Sequence, residues 1–400
     1  MDADVLIVGG GLNGPALALA LAQGGLSSVV IDARQPQARA EAGFDGRSYA
    51  LSLASQRLLA AVGVWKGLTA QPILKVVASD GRAFDGASPF ALRFDGAELE
   101  EGPAGYMVED RHLYAAFLAA LQHPLITHLP AETVTAQGEG WVELASGRRL
   151  TGAVVAGCDG RASGTAQRAG IKRQGWSYHQ TALVAAIAHE KPHNGVAHQF
   201  FMGGGPLAIL PLAGGHVSSI VWSEREAEAD RIAALDDEGF MTALRPRFGD
   251  FLGPIRLAGA RFTYPLTLTL AEHWVKPRLA LVGDAAHGVH PIAGQGLNLG
   301  LRDVAALAEV LVEAKRRGED IGALDVLERY EHWRRFDTTT LALGMDGINR
   351  LFSNENSGLR AIRDLGMGLI NALPGVKRGF LRQAAGLSGR LPKLMAGQGL

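Results

Sequence analysis

The chain has 400 residues, 47% apolar and 20% charged, and its 39 Lys and Arg against 40 Asp and Glu give a net charge of −1. At roughly 150 residues per domain it is expected to form two to three domains around a large core, and it lacks the overall basic field by which nonspecific nucleic-acid binders gather their ligand. A single cysteine, Cys158, excludes an intrachain disulfide or a multi-thiolate metal site and fits a reducing, cytoplasmic setting.

Glycine is the outlier, 52 residues of 400 against a usual ~7%. The glycines fall in short clusters between apolar runs, which points to tight turns and close backbone approaches. Val5-Leu6-Ile7-Val8 reads as a buried strand, and Ala16 to Ala22 is rich in helix formers. The nearly uncharged stretch from Val5 to Leu26 is not expected to be a signal or a membrane span. Asp2 and Asp4 precede it, and Gly9-Gly10-Gly11, Asn13 and Gly14-Pro15 interrupt it.

Gly9, Gly11 and Gly14 fit G-x-G-x-x-G: the first for the turn, the second for approach of backbone to a pyrophosphate, the third for close packing of helix on strand. The phosphate would sit at the helix N-terminus, on the amides of Gly11, Leu12, Asn13 and Gly14. Val29-Val30-Ile31 is the next strand, and Asp32 at its end can accept from a ribose hydroxyl. This unit alone does not distinguish NAD from FAD. No second fingerprint exists, because Gly203-Gly204-Gly205 leads into the strand-like Leu207-Ala208-Ile209-Leu210 without a following helix.

Two more apolar strands end in glycine turns. Ala153-Val154-Val155-Ala156 leads to Gly157-Cys158-Asp159-Gly160. Leu279-Ala280-Leu281-Val282 leads to Gly283-Asp284-Ala285-Ala286-His287, then Pro291, Gly294-Gln295-Gly296 and Asn298, then a helix from Leu299 to about Lys315. Each Asp can accept from sugar-like hydroxyls, or can merely close an Asx turn between strand and helix. The positive end of the last helix would favour the negative charge that develops on a reduced flavin.

Together, Gly9-x-Gly11-x-x-Gly14 with Asp32, Asp159-Gly160, and Gly283-Asp284 with Pro291-x-x-Gly294-Gln295-Gly296-x-Asn298 resemble the class A FAD-dependent aromatic hydroxylases. Asp45-x-Arg47-x-x-Ala50-Leu51, Arg111 opening a helix, Tyr178-x-Gln180-x-Ala182, Pro206 to Leu212 and Tyr330-x-x-Trp333-Arg334-Arg335 resemble the ubiquinone-biosynthesis branch of that class. The resemblance spans nearly the whole chain. It implies an α/β fold in which a Rossmann-like FAD-binding domain (1–72, 103–175 and 270–318) is interleaved with a mostly antiparallel β substrate domain (73–102 and 176–269). A C-terminal helical region (319–400) follows.

It further implies hydroxylation of a polyprenylated phenol with NADH or NADPH as electron donor and O2 as oxidant, through a C4a-hydroperoxyflavin; the alternatives are hydroxylation of a small aromatic acid, which would need a cationic clamp, and a flavin-binding accessory subunit of a biosynthetic complex. Asp32 would then hold the adenosine ribose, Arg47 and Arg111 the phosphates or the adenosine side, and Asp159, Gly283 and Asp284 the middle and ribityl portions. Pro291, Gly294, Gly296, Leu297 and Asn298 would face the ring. The chemistry needs a dry pocket more than an acid–base pair, so no catalytic side chain is assigned. One departure stands out: the family's usual Arg, seven residues after the Asp of the middle motif, is Ala166 here, with Arg168 the nearest cation.

His189, His193 and His198 match no metal-ligand spacing, and no metal is expected. Beyond Ala323, Leu324, Leu327, Tyr330 and Trp333 form one helical stripe. After Asp364 the chain has no acid. Lys377, Arg378, Arg382, Arg390 and Lys393 stand there among apolar residues, as in a helix that could lie peripherally on an anionic membrane, or dock a biosynthetic complex.

Overall fold

Residues 1–36, 39, 43–80, 91–289, 295–352 and 373–400 are described by the computed structural model. The β-branched and leucine-rich runs form a first sheet in the order β8 (Ile126–Pro130), β2 (Ser28–Asp32), β1 (Ala3–Val8), β11 (Arg149–Gly157), β19 (Leu279–Leu281), β18 (Val275–Lys276). The first five are parallel and β18 is antiparallel. β9 (Val134–Gly138) and β10 (Trp141–Leu144) extend β11 as an antiparallel flap.

Both faces of this sheet are covered. Val5 and Ile7 of β1 point into a core shared with α1 (Asn13–Gln23), α3 (Asp110–Ala120) and α7 (Gln295–Arg316), while Leu6 and Val8 pack with Val142, Leu150 and Val155 under the flap. Helix α7 begins four residues before the apolar periodicity announces it, because Gln295 and Gly296 carry no apolar mark. The register sets Val8 opposite both Ile31 and Gly157, and Gly157 opposite Leu281. The loops after β1, β2, β11 and β19 therefore leave the same, carboxyl edge of the sheet, where open α/β sheets bind ligands.

The second sheet runs β20 (His287–Gly288), β17 (Phe262–Ala271), β12 (Arg173–His189), β15 (Val217–Arg225), β14 (Leu207–Pro211), β13 (Val196–Phe201), β5 (Lys75–Asp80), β6 (Leu92–Asp95), with β16 (Ile255–Leu257) also on β12. Among the described strands of this sheet, β5 and β13 alone pair parallel. α4 (Gly164–Arg168) precedes β12, and α5 (Glu226–Ala233) and α6 (Asp237–Phe248) follow β15. Alternate β12 residues Leu183, Ala185 and Ile187 join Trp222, Phe240 and Phe248 in a core between this sheet and α5–α6. A bulge between Ser177 and Thr181 leaves His179 in the left-handed region at φ +52°. Through β20 this sheet touches the loop that follows β19.

A third, antiparallel sheet, β3 (Ser48–Ser52), β7 (Gly105–Glu109) and β4 (Ala70–Ile73), carries α2 (Leu53–Ala61). Helices α8 (Leu324–Phe352) and α9 (Pro374–Ala384) end the chain. On the expected stripe Leu327 and Tyr330 are buried, and Tyr330 Oη donates to Leu281 O at 2.8 Å, but Leu324 is 39% exposed. Among the described residues no helix is long and apolar enough to cross a membrane.

Candidate active site

The three glycine loops converge. A Cβ on Gly9 (φ +118°) would stand 2.4 Å from Cys158 O, so the first loop rests on the backbone of the second. A Cβ on Gly14 would stand 1.9 Å from Gly9 O, which is why α1 can start directly under the loop. Gly283 (φ +62°) and Gly300 leave room for the Asn13 side chain, whose Nδ2 would lie 2.2 and 2.4 Å from a Cβ at each. Asn13 thus joins the start of α1, the β19 loop and α7.

The residues fit an elongated anionic cofactor along this edge. A Cβ on Gly11 or Gly296 would meet nothing within 4 Å, so backbone faces open space at both helix starts. The first turn of α1 holds no acidic residue, and Leu12 at its cap supplies no side-chain acceptor, leaving amides for phosphate. Asn13 Oδ1 and Arg173 Nε are buried without a partner, polar groups waiting for one.

Asp32 closes β2. Its Oδ1 accepts from Arg34 N at 3.0 Å and its Oδ2 from Tyr114 Oη at 3.3 Å. Burial, with the Asp32 charge beside it, pushes the Tyr114 hydroxyl up to about 12. Arg39 lies over the Tyr114 ring at 4.2 Å and pairs with the buried Asp110 at 2.5 Å. Arg47 is 2.7 Å from Asp45 and 3.8 Å from Asp110, while Arg111 pairs with Glu109 at 2.8 Å. Both arginines therefore carry a local carboxylate. For Asp110, burial opposes ionisation, but the hydrogen bond and charge of Arg39 outweigh it and hold the carboxyl below its ordinary range.

Asp159 turns inward: its oxygens accept from Ser163 Oγ at 2.5 Å and from Thr165 N and Oγ1 at 2.8 Å, capping α4. Of the two roles open to it, the turn-closing one occupies its carboxylate. Asp284 instead faces outward, paired with Arg161 Nε at 3.0 Å, and its carbonyl accepts from Arg173 at 2.8 Å. Ala166 is wholly buried in α4, and Arg168 turns to Gln137 and Val134 O, so the cations beside the middle motif are Arg161 and Arg173. Asn298 uses its side chain within the chain, accepting from Ser52 N and Ser55 Oγ and donating to Ala50 O, each at 2.8 Å. Pro291 and Gly294, with His290, lie outside the described residues.

Sequence reasoning missed a buried cluster. Asp303 Oδ2 accepts from Gly283 N at 3.1 Å and His287 Nε2 at 2.5 Å, and its Oδ1 from Arg334 Nε at 2.9 Å, all three side chains being wholly buried. Burial works against the Asp303 charge, but His287 and Arg334 outweigh it and keep the carboxyl below its usual range. Arg334 stands in the Tyr330 to Arg335 run, yet nothing in that run reveals its partner. Burial pushes the Cys158 thiol up, away from reactivity. His189 and His193 spend both ring nitrogens on chain atoms, so neither offers a free ligand atom.

Beside the β19 loop, a cavity of about 870 Å³ lies against the β12 bulge, lined by Trp176, Tyr178, Gln180, Gly204, Arg225 and Asp230 among others. Tyr178 also packs on Leu268, Val289 and Leu299, the apolar wall beneath the loop and the start of α7.

The FAD binding domain family matches residues 2–113 and 127–340. The chain is 46% identical to the ubiquinone hydroxylase UbiL of Rhodospirillum rubrum, covering 99% of this chain and 93% of that protein. It is 36% identical to the 3-demethoxyubiquinol 3-hydroxylase of Escherichia coli, covering 96% and 98%. The crystal structure of p-nitrophenol 4-monooxygenase PnpA from Pseudomonas putida shares the fold, with a TM-score of 0.78 at 20% identity over 97% of this chain and 98% of that one.

Proposed function

We infer the chemistry from one premise: this chain belongs to the FAD-binding hydroxylases of ubiquinone biosynthesis. It is an FAD-dependent monooxygenase. We propose that it hydroxylates the ring of a polyprenylated phenol, with NAD(P)H as donor and dioxygen as oxidant. The observation that carries the site is the meeting of three glycine loops at one sheet edge, with Asn13 wedged between Gly283 and Gly300.

FAD, when bound, supplies electron transfer and oxygen activation; the protein supplies placement and dryness. Asp32 accepts from the adenosine ribose, and the amides from Gly11 to Gly14 hold the pyrophosphate at the start of α1. Gly9 sets the turn, and Arg47 and Arg111 complement the phosphates from the β3 and α3 side. Asp159 holds the middle loop in shape, and Gly283 and Asp284 line the ribityl chain. Gly296 and Leu297, at the start of α7, face the ring, where the α7 dipole favours negative charge.

The cavity at the β12 bulge receives the substrate, with Trp176 and Tyr178 as its aromatic wall. Among the described lining residues Arg225 is the one Lys or Arg, and it lies with Glu226 and Asp230, a poor clamp for a small aromatic acid and a tolerable one for a neutral phenol. A prenylated substrate also suits peripheral contact with a lipid surface near α9.

Purified protein should oxidise NAD(P)H faster with a prenylphenol than with hydroxybenzoates and release hydroxylated product; stimulation that yields only peroxide would contradict the reading. Asp284→Ala should purify with much less FAD, and full, tight occupancy in that variant would refute its assignment.

A further inference from the structure

Asp303 joins Gly283, His287 and Arg334, and it does so without any contact with solvent. We propose that Asp303 is a positioning residue for the flavin end of the site, acting through Gly283 and His287. The inference rests on the reading that FAD lies along this edge.

The geometry gives one carboxylate control of one distance. Asp303 sits about two turns along α7 from Gly296, the start that faces open space. Its Oδ2 holds the amide of Gly283, the residue before Asp284, and the ring of His287, which opens β20. The β19 loop and the start of α7 are the two walls between which the flavin end must fit, and this side chain ties one to the other. Arg334 of α8 fixes Oδ1 from behind, and its remaining nitrogens are held by Asp337 and Thr338. The carboxylate therefore cannot swing away from the loop.

Stability alone accounts poorly for this arrangement, since buried charge clusters are often matched or bettered by apolar replacements. Direction is what the cluster adds. His287 shows the dependence clearly: Nδ1 is buried without a partner among the described residues, so the hydrogen bond that holds the ring is the one Nε2 makes to Asp303, and Trp274 at 5.0 Å supplies just a ring contact. Take the carboxylate away and, among the described residues, nothing polar holds the ring or the Gly283 amide in place.

The test titrates apoprotein with FAD, follows quenching of flavin fluorescence, and measures the midpoint potential of the bound flavin. Asp303→Asn should raise the FAD dissociation constant about tenfold, the loss of one charge-assisted hydrogen bond, and shift the potential. His287→Gln, which keeps a donor near the Nε2 position, should bind within about threefold of the parent, whereas His287→Leu should lose about tenfold. This pair decides the matter if Asp303→Asn does not fold. Equal affinities for His287→Gln and His287→Leu, or parental affinity and potential in Asp303→Asn, would overturn the proposal. Asp284→Ala serves as the reference: if it binds FAD like the parent, the site reading itself falls, and if it alone loses FAD, only the positioning role does.

Discussion

His198 is where burial and charge conflict within one side chain. Its ring lies 4.6 Å from that of Phe251 and 5.7 Å from that of Phe200, and Nδ1 is buried without a partner. Burial, with Arg93 nearby, pushes its pKa down to about 4 from an ordinary 6.5. Between those values the unfolded chain takes up a proton that the folded chain refuses, so stability is complete above about pH 6.5 and falls as pH drops toward 4, by at most about 3 kcal/mol. Urea unfolding of His198→Phe at pH 7 and pH 4.5 should show a smaller acid loss than the parent; an identical loss would place the sensitivity in His128, His189 or His193, whose values burial also lowers. At this scale the sequence was legible only where a motif fixes the neighbour. Asp32 follows from its place after the second strand, but the meeting of Asp303 with Arg334, or of Asp284 with Arg161, depends on how distant elements dock, and no local pattern carries that.

Elements show the opposite balance. Strand, glycine loop and helix could be read for β1 and α1 because period, turn chemistry and helix propensity agree there, whereas the bulge in β12 has no local sequence mark. The two later glycines of the first loop do different work, and the contrast is testable. A methyl on Gly14 meets backbone oxygen at 1.9 Å, which can be relieved only by lifting α1 from the sheet, whereas a methyl on Gly11 meets nothing. Gly14→Ala should therefore cost apoprotein stability by about 1–3 kcal/mol, the usual range for overpacking, and lower its melting temperature. Gly11→Ala should melt like the parent as apoprotein yet bind FAD more weakly, because the methyl fills space that phosphate would use. If both variants lose stability equally, the division of labour between packing and ligand approach is wrong.

For the whole molecule, the tail shows how a charge count misleads without its surroundings. The basic residues after Asp364 stand alone in sequence, but folding brings Glu98 to 2.7 Å from Lys377, Glu101 to 2.9 Å from Arg382 and Glu313 to 2.8 Å from Lys393. Arg390 lies over the Trp333 ring at 4.7 Å. Arg378, 60% exposed and 4.0 Å from Glu100, is what remains of the basic field on α9. An apolar line survives: Leu373 just before α9, and Val376 and Phe380 on it, three and four residues apart, are each 45–50% exposed. Contact with lipid through this helix must then rest on apolar insertion, worth about 1.5–3 kcal/mol for each side chain fully buried, and little on attraction to anionic headgroups. Sedimentation with vesicles of phosphatidylethanolamine and phosphatidylglycerol should accordingly change little as salt is raised, and should fall at least about tenfold in the Val376→Ser, Phe380→Ser double variant. Binding that disappears with salt while the double variant binds like the parent would return the role to the basic residues; no binding by the parent would remove α9 from any membrane role.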